Sequence, residues 1–299
     1  MTQKGDNTLL AIALSMLALV LFDLMGLVIK HMSQSYTAAE LSAWRNLFGL
    51  IPSVIALWSS RAWHEGGRKW KIRQWKLACA RGFYVTFAQL LYYYALGAMA
   101  FATASTITYA NALFMTALAV PLLGEKVGLI RWSAVLLGFV GVVLVMGPGK
   151  ETFSLVALAP LGAAFIYALA GVSARLLDPE LPTPLVNLYA AATAMVGAVL
   201  LALVMGGFTP IASWTDLAWL FAMGGFGGTA VLCLVASFRM AEQSDLAPFS
   251  YFGIPIAFIL GWLAFDEAPF GDLFPGALLI IAGGLLVIWR ERRIAARGH

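Results

Sequence analysis

The chain has 299 residues, of which 61% are apolar and only 11% charged, less than half the charge of an ordinary soluble domain, and this excludes a fold that keeps its whole surface in water. The formal net charge of +4 collects in one loop and the C-terminal tail, which reads as a topology signal and excludes a nucleic-acid partner. Cys79 and Cys233 lie inside apolar blocks without a CxxC spacing, so neither a disulfide framework nor a metal site is expected, and no cofactor motif is present.

The apolar residues come in blocks of about 20, long enough at about 1.5 Å per helical residue to cross a hydrocarbon core of about 30 Å. The first block, Thr8–Lys30, is too long for a signal-peptide core and no clear small-residue cleavage site follows it, so it reads as a retained helix. Ten spans follow in chain order: 8–30, 37–59, 75–97, 102–122, 129–147, 154–177, 183–206, 214–239, 246–265 and 272–290. The predicted fold class is therefore all-α integral membrane, with the lipid bilayer as its solvent. The long polar loop Ser60–Gln74 carries Arg61, Arg68, Lys69, Lys71 and Arg73, and positive charge marks the cytoplasmic side. Alternation then puts Lys126, Arg131, Arg175, Arg239 and the tail arginines Arg290, Arg292, Arg293 and Arg297 inside, leaving Lys30 and Lys150 outside. Both termini are predicted to be cytoplasmic, in the inner (plasma) membrane. Trp58, Trp63, Trp70 and Trp75 flank the basic loop as interfacial anchors.

Sliding Ala95–Met146 forward by 142 positions lays it on Ser237–Ile288, with Tyr109 on Tyr251, Glu125 on Glu267 and Gly141 on Gly283. Each copy is an apolar run, a short acidic turn at Gly124-Glu125 or Asp266-Glu267, and a second run rich in Gly and Val or Ile. The chain divides into 1–150 and 151–299, one five-helix unit used twice. Five is odd, so the second unit enters the membrane in the opposite direction and the repeats are inverted. Such a pair encloses a solute site and works by alternating access, because a gate at one face has a counterpart at the other.

These residues resemble the drug/metabolite transporter superfamily, in particular its ten-helix EamA-type exporters. The resemblance covers both repeats and is most specific in the small-residue entry to the fourth and ninth spans, in the two acidic turns, and in the Gly-spaced helices at Gly138, Gly141, Gly283 and Gly284. Arg45 sits where the family's second helix commonly has an arginine. Where the family often has Trp-Gly in the first helix, this chain reads Phe22-Asp23. The family's proline in the fourth span is Leu113 here, while the ninth keeps Pro255, so a proline hinge is expected in the ninth alone. Within the family the pattern is similar to that of bacterial exporters of aromatic amino acids. The resemblance implies export of a small-molecule substrate, aromatic and other large neutral amino acids first, by a monomer or weak homo-oligomer.

Ionisable groups deep in a bilayer face a cavity or a partner. Asp23 and Arg45 lie at similar depth in the first and second spans, so they either pair, or Arg45 meets the substrate's carboxylate while Asp23 meets its ammonium or carries a proton. Gly82, Thr86, Gln89 and Tyr93 recur at spacings of four, three and four and form one face of the third span. Ser105, Thr108, Asn111 and Met115 do the same on the fourth. These faces offer amide and hydroxyl groups for a zwitterion, with Tyr92, Tyr93 and Tyr109 as flat walls for an aromatic ring. In the second half Tyr167, Ser250 and Tyr251 are the corresponding candidates, and Gly224–Gly228 permits close packing. Glu125 and Glu267 precede new helices and are expected to cap them rather than to carry protons.

An intramembrane enzyme would need a catalytic constellation at depth. His31, His64 and His299 all fall at or outside the membrane ends, and the chain has no HExxH and no GxSxG. A channel would show rings of charge in place of an inverted repeat. Within transporters, the alternative to amino acids is export of hydrophobic cations, with Asp23 as counter-charge.

Overall fold

The computed structural model describes residues 2–68, 70–124, 128–146, 155–178, 181, 183–240, 246, 249 and 251–295, and every regular element among them is helical. In chain order these are α1 (Thr2–Met32), α2 (Ala38–Trp58), the short α3 (Arg61–Glu65), α4 (Trp75–Ala98), α5 (Phe101–Thr108), α6 (Asn111–Leu123) and α7 (Leu129–Met146). A 3₁₀ turn at Leu155–Ala157 leads into α8 (Leu158–Ala174), followed by α9 (Thr183–Val204), α10 (Trp214–Met240), α11 (Gly253–Phe265), α12 (Phe270–Leu273) and α13 (Gly276–Ala295). Five stretches are long and apolar enough to cross a membrane by length and composition: Leu9–Met32, Phe101–Leu123, Leu155–Ala174, Pro184–Val204 and Trp214–Leu234. Trp132–Met146, Gly253–Phe265 and Gly276–Leu286 are shorter apolar helices.

The helices pack without a sheet, α1 on α10, α4 on α8, α2 on α9 and α10, α4 on α9, and α7 on α13. Small residues set these crossings, because apolar lipid gives helices no hydrophobic drive to associate and close backbone contact must supply it. A β-carbon on Gly141 would lie 2.6 Å from the Gly276 carbonyl oxygen, and one on Gly283 would lie 2.7 Å from that of Ala134. On the other flank, Gly82 lies against the Ala190 backbone and Gly224 against Phe48 and Gly49. α2 begins with a capping box in which Thr37 Oγ1 accepts from the Glu40 backbone N–H and Glu40 Oε2 accepts from that of Thr37, satisfying two donors the helix itself leaves free.

Two expectations about the fourth and ninth spans change. The fourth, which lacks a proline near its middle, is broken between α5 and α6 at Tyr109-Ala110. There the ladder tightens to three-residue spacing, Ala110 N–H to Ile107 O (3.0 Å) and Ala112 N–H to Tyr109 O (3.3 Å). The same tightening recurs as Phe252 N–H to Phe249 O (3.1 Å) and Ile254 N–H to Tyr251 O (3.2 Å), ahead of Pro255. Pro255 is the third residue of α11, inside the first turn, where a missing N–H costs no helical bond. The ladder is thus tightened beside a tyrosine in both spans, in the fourth without a proline and in the ninth just ahead of Pro255. Both spans also end alike, with Gly124 (φ 69°) and Asp266 (φ 56°) as left-handed C-caps.

Glu267 does cap a helix, but a different one. Its Oε2 accepts the Phe101 backbone N–H at 2.9 Å, at the start of α5, and its Oε1 lies 2.7 Å from Lys30 Nζ at the end of α1. Glu125, Lys126, Lys150 and Arg297 lie outside the described residues.

Candidate functional site

The two deep charges do not neutralise each other. Asp23 is 5% exposed and its Oδ2 has no hydrogen-bond partner, whereas Lys30 pairs with Glu267. Arg45 Nη1 donates to Asn46 Oδ1 at 3.0 Å, whereas Arg45 Nε is buried and unpartnered. The guanidinium lies over Gly227 of α10, where a β-carbon would meet Nε at 2.9 Å and the Met25 sulfur at 2.6 Å. Glycine at 227 therefore admits the guanidinium between α1, α2 and α10.

Tyrosines surround both charges. Asp23 is within electrostatic range of the Tyr92 and Tyr109 hydroxyls, and Arg45 of those of Tyr93 and Tyr167. The Tyr92 and Tyr93 ring centroids are 6.2 Å apart, so the acidic and basic sides meet along α4. Tyr92 shares a 3.0 Å hydrogen bond with Ser105, while the Tyr93 hydroxyl is buried without a partner. α1, α2, α4 and α8, with the Tyr109 break after α5, therefore bring a group of phenol rings together with a carboxyl whose Oδ2 is unpartnered and a guanidinium whose Nε is unpartnered. In an apolar surrounding each such group costs several kcal/mol unless a partner arrives.

The other candidates divide. Gln89 is 3% exposed, and its Oε1 accepts from Ser42 Oγ (2.8 Å) and Asn46 Nδ2 (2.7 Å). The amide thus joins α4 to α2 and fixes the asparagine that holds Arg45. Thr86 donates to Gly82 O and Ala194 O, so the lower part of the α4 stripe faces α9 rather than a cavity. Thr108 bonds back to Ala104 O at 2.9 Å on the last turn of α5, and Asn111 opens α6, half-buried. Tyr109 lies against Gly253, where any β-carbon would collide with its ring. Tyr251 instead leans on Gly284 of α13, and Ser250 lies outside the described residues. The residues that sequence reasoning missed are Ser42 and Asn46, and it gave Gly227 only a packing role. Ser42, Arg45, Asn46 and Gly49 share one helical face at spacings of three, one and three, a signal that was available. A separate cavity of about 280 Å³ opens between α2, α9 and α10, lined by Ser53, Ser60, Arg61, Asn187 and Val231 among others.

Gln89→Leu tests the positioning role. It leaves the Asn46 amide and Ser42 hydroxyl short of a buried partner, a cost of about 1–3 kcal/mol in a core and about 1 kcal/mol where membrane helices find substitutes. The expected outcome is a lowered thermal midpoint together with reduced transport, both read on purified protein. Loss of transport at an unchanged midpoint would make Gln89 a direct substrate contact instead.

Residues 9–147 match the EamA-like transporter family. That match spans 139 of the 299 residues; members of the family are transporters and not enzymes, and curated transporters align with nearly the whole of this chain. The chain is 25% identical over 294 residues to an S-adenosylmethionine uptake transporter of Rickettsia conorii, covering 95% of this chain and 94% of that one. It is 30% identical over 186 residues to a riboflavin transporter of Vibrio cholerae, covering 58% and 60%, and 23% identical over 278 residues to a pseudopaline exporter of Pseudomonas aeruginosa, covering 93% of each. A solved crystal structure superposes with a TM-score of 0.67 at 20% identity, over 97% of this chain and 99% of that one, a likeness of fold alone.

Proposed function

We propose that the chain is a secondary transporter exporting an amphipathic metabolite that joins a zwitterionic head to a planar ring, aromatic amino acids being the simplest such molecules. The observation that carries this reading is the pair of unsatisfied opposite charges, Asp23 Oδ2 and Arg45 Nε, set among Tyr92, Tyr93, Tyr109 and Tyr167. An ammonium answers the first, a carboxylate the second, and a ring stacks on the phenols. The relatives fit that chemistry, since S-adenosylmethionine carries an amino-acid head and a purine, and riboflavin a flat tricyclic ring. They include both an uptake protein and an exporter.

The architecture we infer is ten spans in two inverted repeats, 1–150 and 151–299, in the inner membrane with both termini cytoplasmic and no obligate partner beyond lipid. What supports it is that the packing contacts repeat at the same 142-residue offset as the sequence. Gly141 meets Gly276 and Ile280 as Gly283 meets Ala134 and Gly138, and Gly82 meets Ala190 as Gly224 meets Phe48. In this topology α3 and the basic loop lie at the cytoplasmic end, and Lys30, Met99 and Glu267 at the other.

The test is counterflow in proteoliposomes with labelled phenylalanine, tyrosine, tryptophan, S-adenosylmethionine, riboflavin, phenylpropionate and a quaternary ammonium dye, with and without a pH gradient. Uptake of the ring-bearing zwitterions well above phenylpropionate is expected. Uptake of the dye alone would replace this reading with cation export through Asp23, and uptake of none would end it.

A further inference from the structure

Lys30 Nζ does three things at once. It lies 2.7 Å from Glu267 Oε1, donates to the Met99 carbonyl at 2.7 Å, and stands 5.2 Å over the Phe265 ring. Glu267 in turn accepts from Lys30 and from the Phe101 backbone N–H. The end of α1, the turn between α4 and α5 and the end of α11 are thereby drawn onto one ion pair, whose side chains are 13% and 29% exposed. Directly beneath it Phe101 is fully buried, with one ring carbon 2.8 Å from where a β-carbon on Gly26 would stand.

The 142-residue offset separates two kinds of contact. Some occur at both ends of the bundle together. Tyr36 OH donates to Asp216 Oδ2 at 2.8 Å at one end, and the Asp178 backbone N–H donates to Gln74 Oε1 at 2.7 Å at the other, the same two positions exchanged between repeats. Burial first, and the bond to Asp216 after it, raise the Tyr36 phenol above its usual range, so that tie keeps its proton through neutral pH. The Gly141–Gly276 and Gly283–Ala134 crossings behave alike. Contacts made at both ends at once cannot alternate, so they form a frame. The Lys30–Glu267 pair is of the other kind, because the position equivalent to Lys30 is Val172 and the repeat offers no cation there. Likewise Tyr109 leans across to Gly253 while Tyr251 leans back on Gly284 of its own repeat, so the asymmetry gathers on α5, α6 and α11.

We propose that Lys30, Glu267 and the α5 N-terminus form the latch of the gate at the end away from α3, and that this latch opens when α5 and α11 swing against the frame. The proposal rests on alternating access between inverted repeats as read above and adds which contacts move. α5 and α11 flank the breaks at Tyr109 and Tyr251, and Tyr109, next to the end of α5, is within electrostatic range of Asp23, so the latch and the site share one moving part.

The test reads exposure in place of flux, so a wrong substrate assignment leaves it intact. In full-length protein with Cys79 and Cys233 replaced by serine, a single cysteine is placed at Ala104, fully buried one turn beyond Phe101. A membrane-impermeant maleimide is applied to right-side-out vesicles. Lys30→Met and Glu267→Gln are each expected to raise the labelling rate at least tenfold, while Lys30→Arg stays within about twofold of the parent. A cysteine at Leu246, the position equivalent to Ala104, reports general loosening when labelled in inverted vesicles. Unchanged labelling at Ala104 in both variants overturns the latch. So does an equal rise at both cysteines, which would make the ion pair a support of the whole fold.

Discussion

Arg45→Met is expected to lower transport of a ring-bearing zwitterion at least a hundredfold with the protein still in the membrane. In the proposed reading the guanidinium meets the substrate carboxylate, and truncating one partner of a buried charge pair costs about 2–5 kcal/mol, where about 1.4 kcal/mol is tenfold in affinity. Asn46 and Gln89 keep their mutual bonds in this variant, so the α2–α4 contact survives and the effect belongs to the missing charge. Asp23→Asn separates the two ends of the head group. It is expected to depress zwitterion flux by a similar factor while sparing phenylpropionate, which has no ammonium to lose. Counterflow in proteoliposomes reads both. If the substrate is instead a hydrophobic cation, Arg45→Met leaves flux intact and Asp23→Asn alone removes it.

Gly283→Val is expected to damage the protein before it damages transport. A β-carbon there lies 2.7 Å from the Ala134 carbonyl oxygen and 2.8 Å from the Gly138 backbone nitrogen, and neither backbone atom can turn aside as a side chain does. α7 and α13 must separate along their shared crossing, and overpacking of this kind costs about 1–3 kcal/mol. A fall in thermal midpoint of about 5–10 °C in detergent, measured by tryptophan fluorescence, is the expected size for a chain of this length. Gly141→Val makes the equivalent collision with Gly276 and Ile280 and shows a similar fall. Gly271→Ala is the control, with nothing within 4 Å of its β-carbon. A midpoint for Gly283→Val equal to that of Gly271→Ala would mean that the α7–α13 crossing does not carry the fold.

Two of the candidate residues were legible because charge is rare in an apolar chain. Asp23 and Arg45 stand out by residue type alone, and their place in the first two spans brings them near the tyrosines of α4. Whether they pair depends on the rotamer each takes, and a glycine 182 positions from Arg45 in sequence, Gly227, provides the room that draws the guanidinium aside. The Gly82–Tyr93 stripe was read as a cavity wall for a zwitterion; its residues are buried, yet spacing alone does not say which neighbour a face meets. Gly82 and Thr86 meet α9, Gln89 meets α2, and only Tyr93 turns toward the charges. The breaks at Tyr109 and Tyr251 escaped notice because a missing N–H is the familiar cue for a kink, whereas here the ladder tightens without losing a donor. Glu267 looked like the cap of its own following helix, since local sequence shows only the nearest helix start. The start it caps lies 166 positions earlier, at Phe101.

The central claim, one chamber opened alternately by two inverted halves, is tested most directly by labelling Ala104→Cys and Leu246→Cys, each from its own side, in otherwise cysteine-free protein while a substrate gradient is imposed. These positions are equivalent under the repeat and both are buried, at 0% and 3% exposure. The account predicts opposite responses, with labelling at one rising as that at the other falls, and the pattern exchanging when the gradient is reversed. Labelling that rises or falls together at both positions contradicts it.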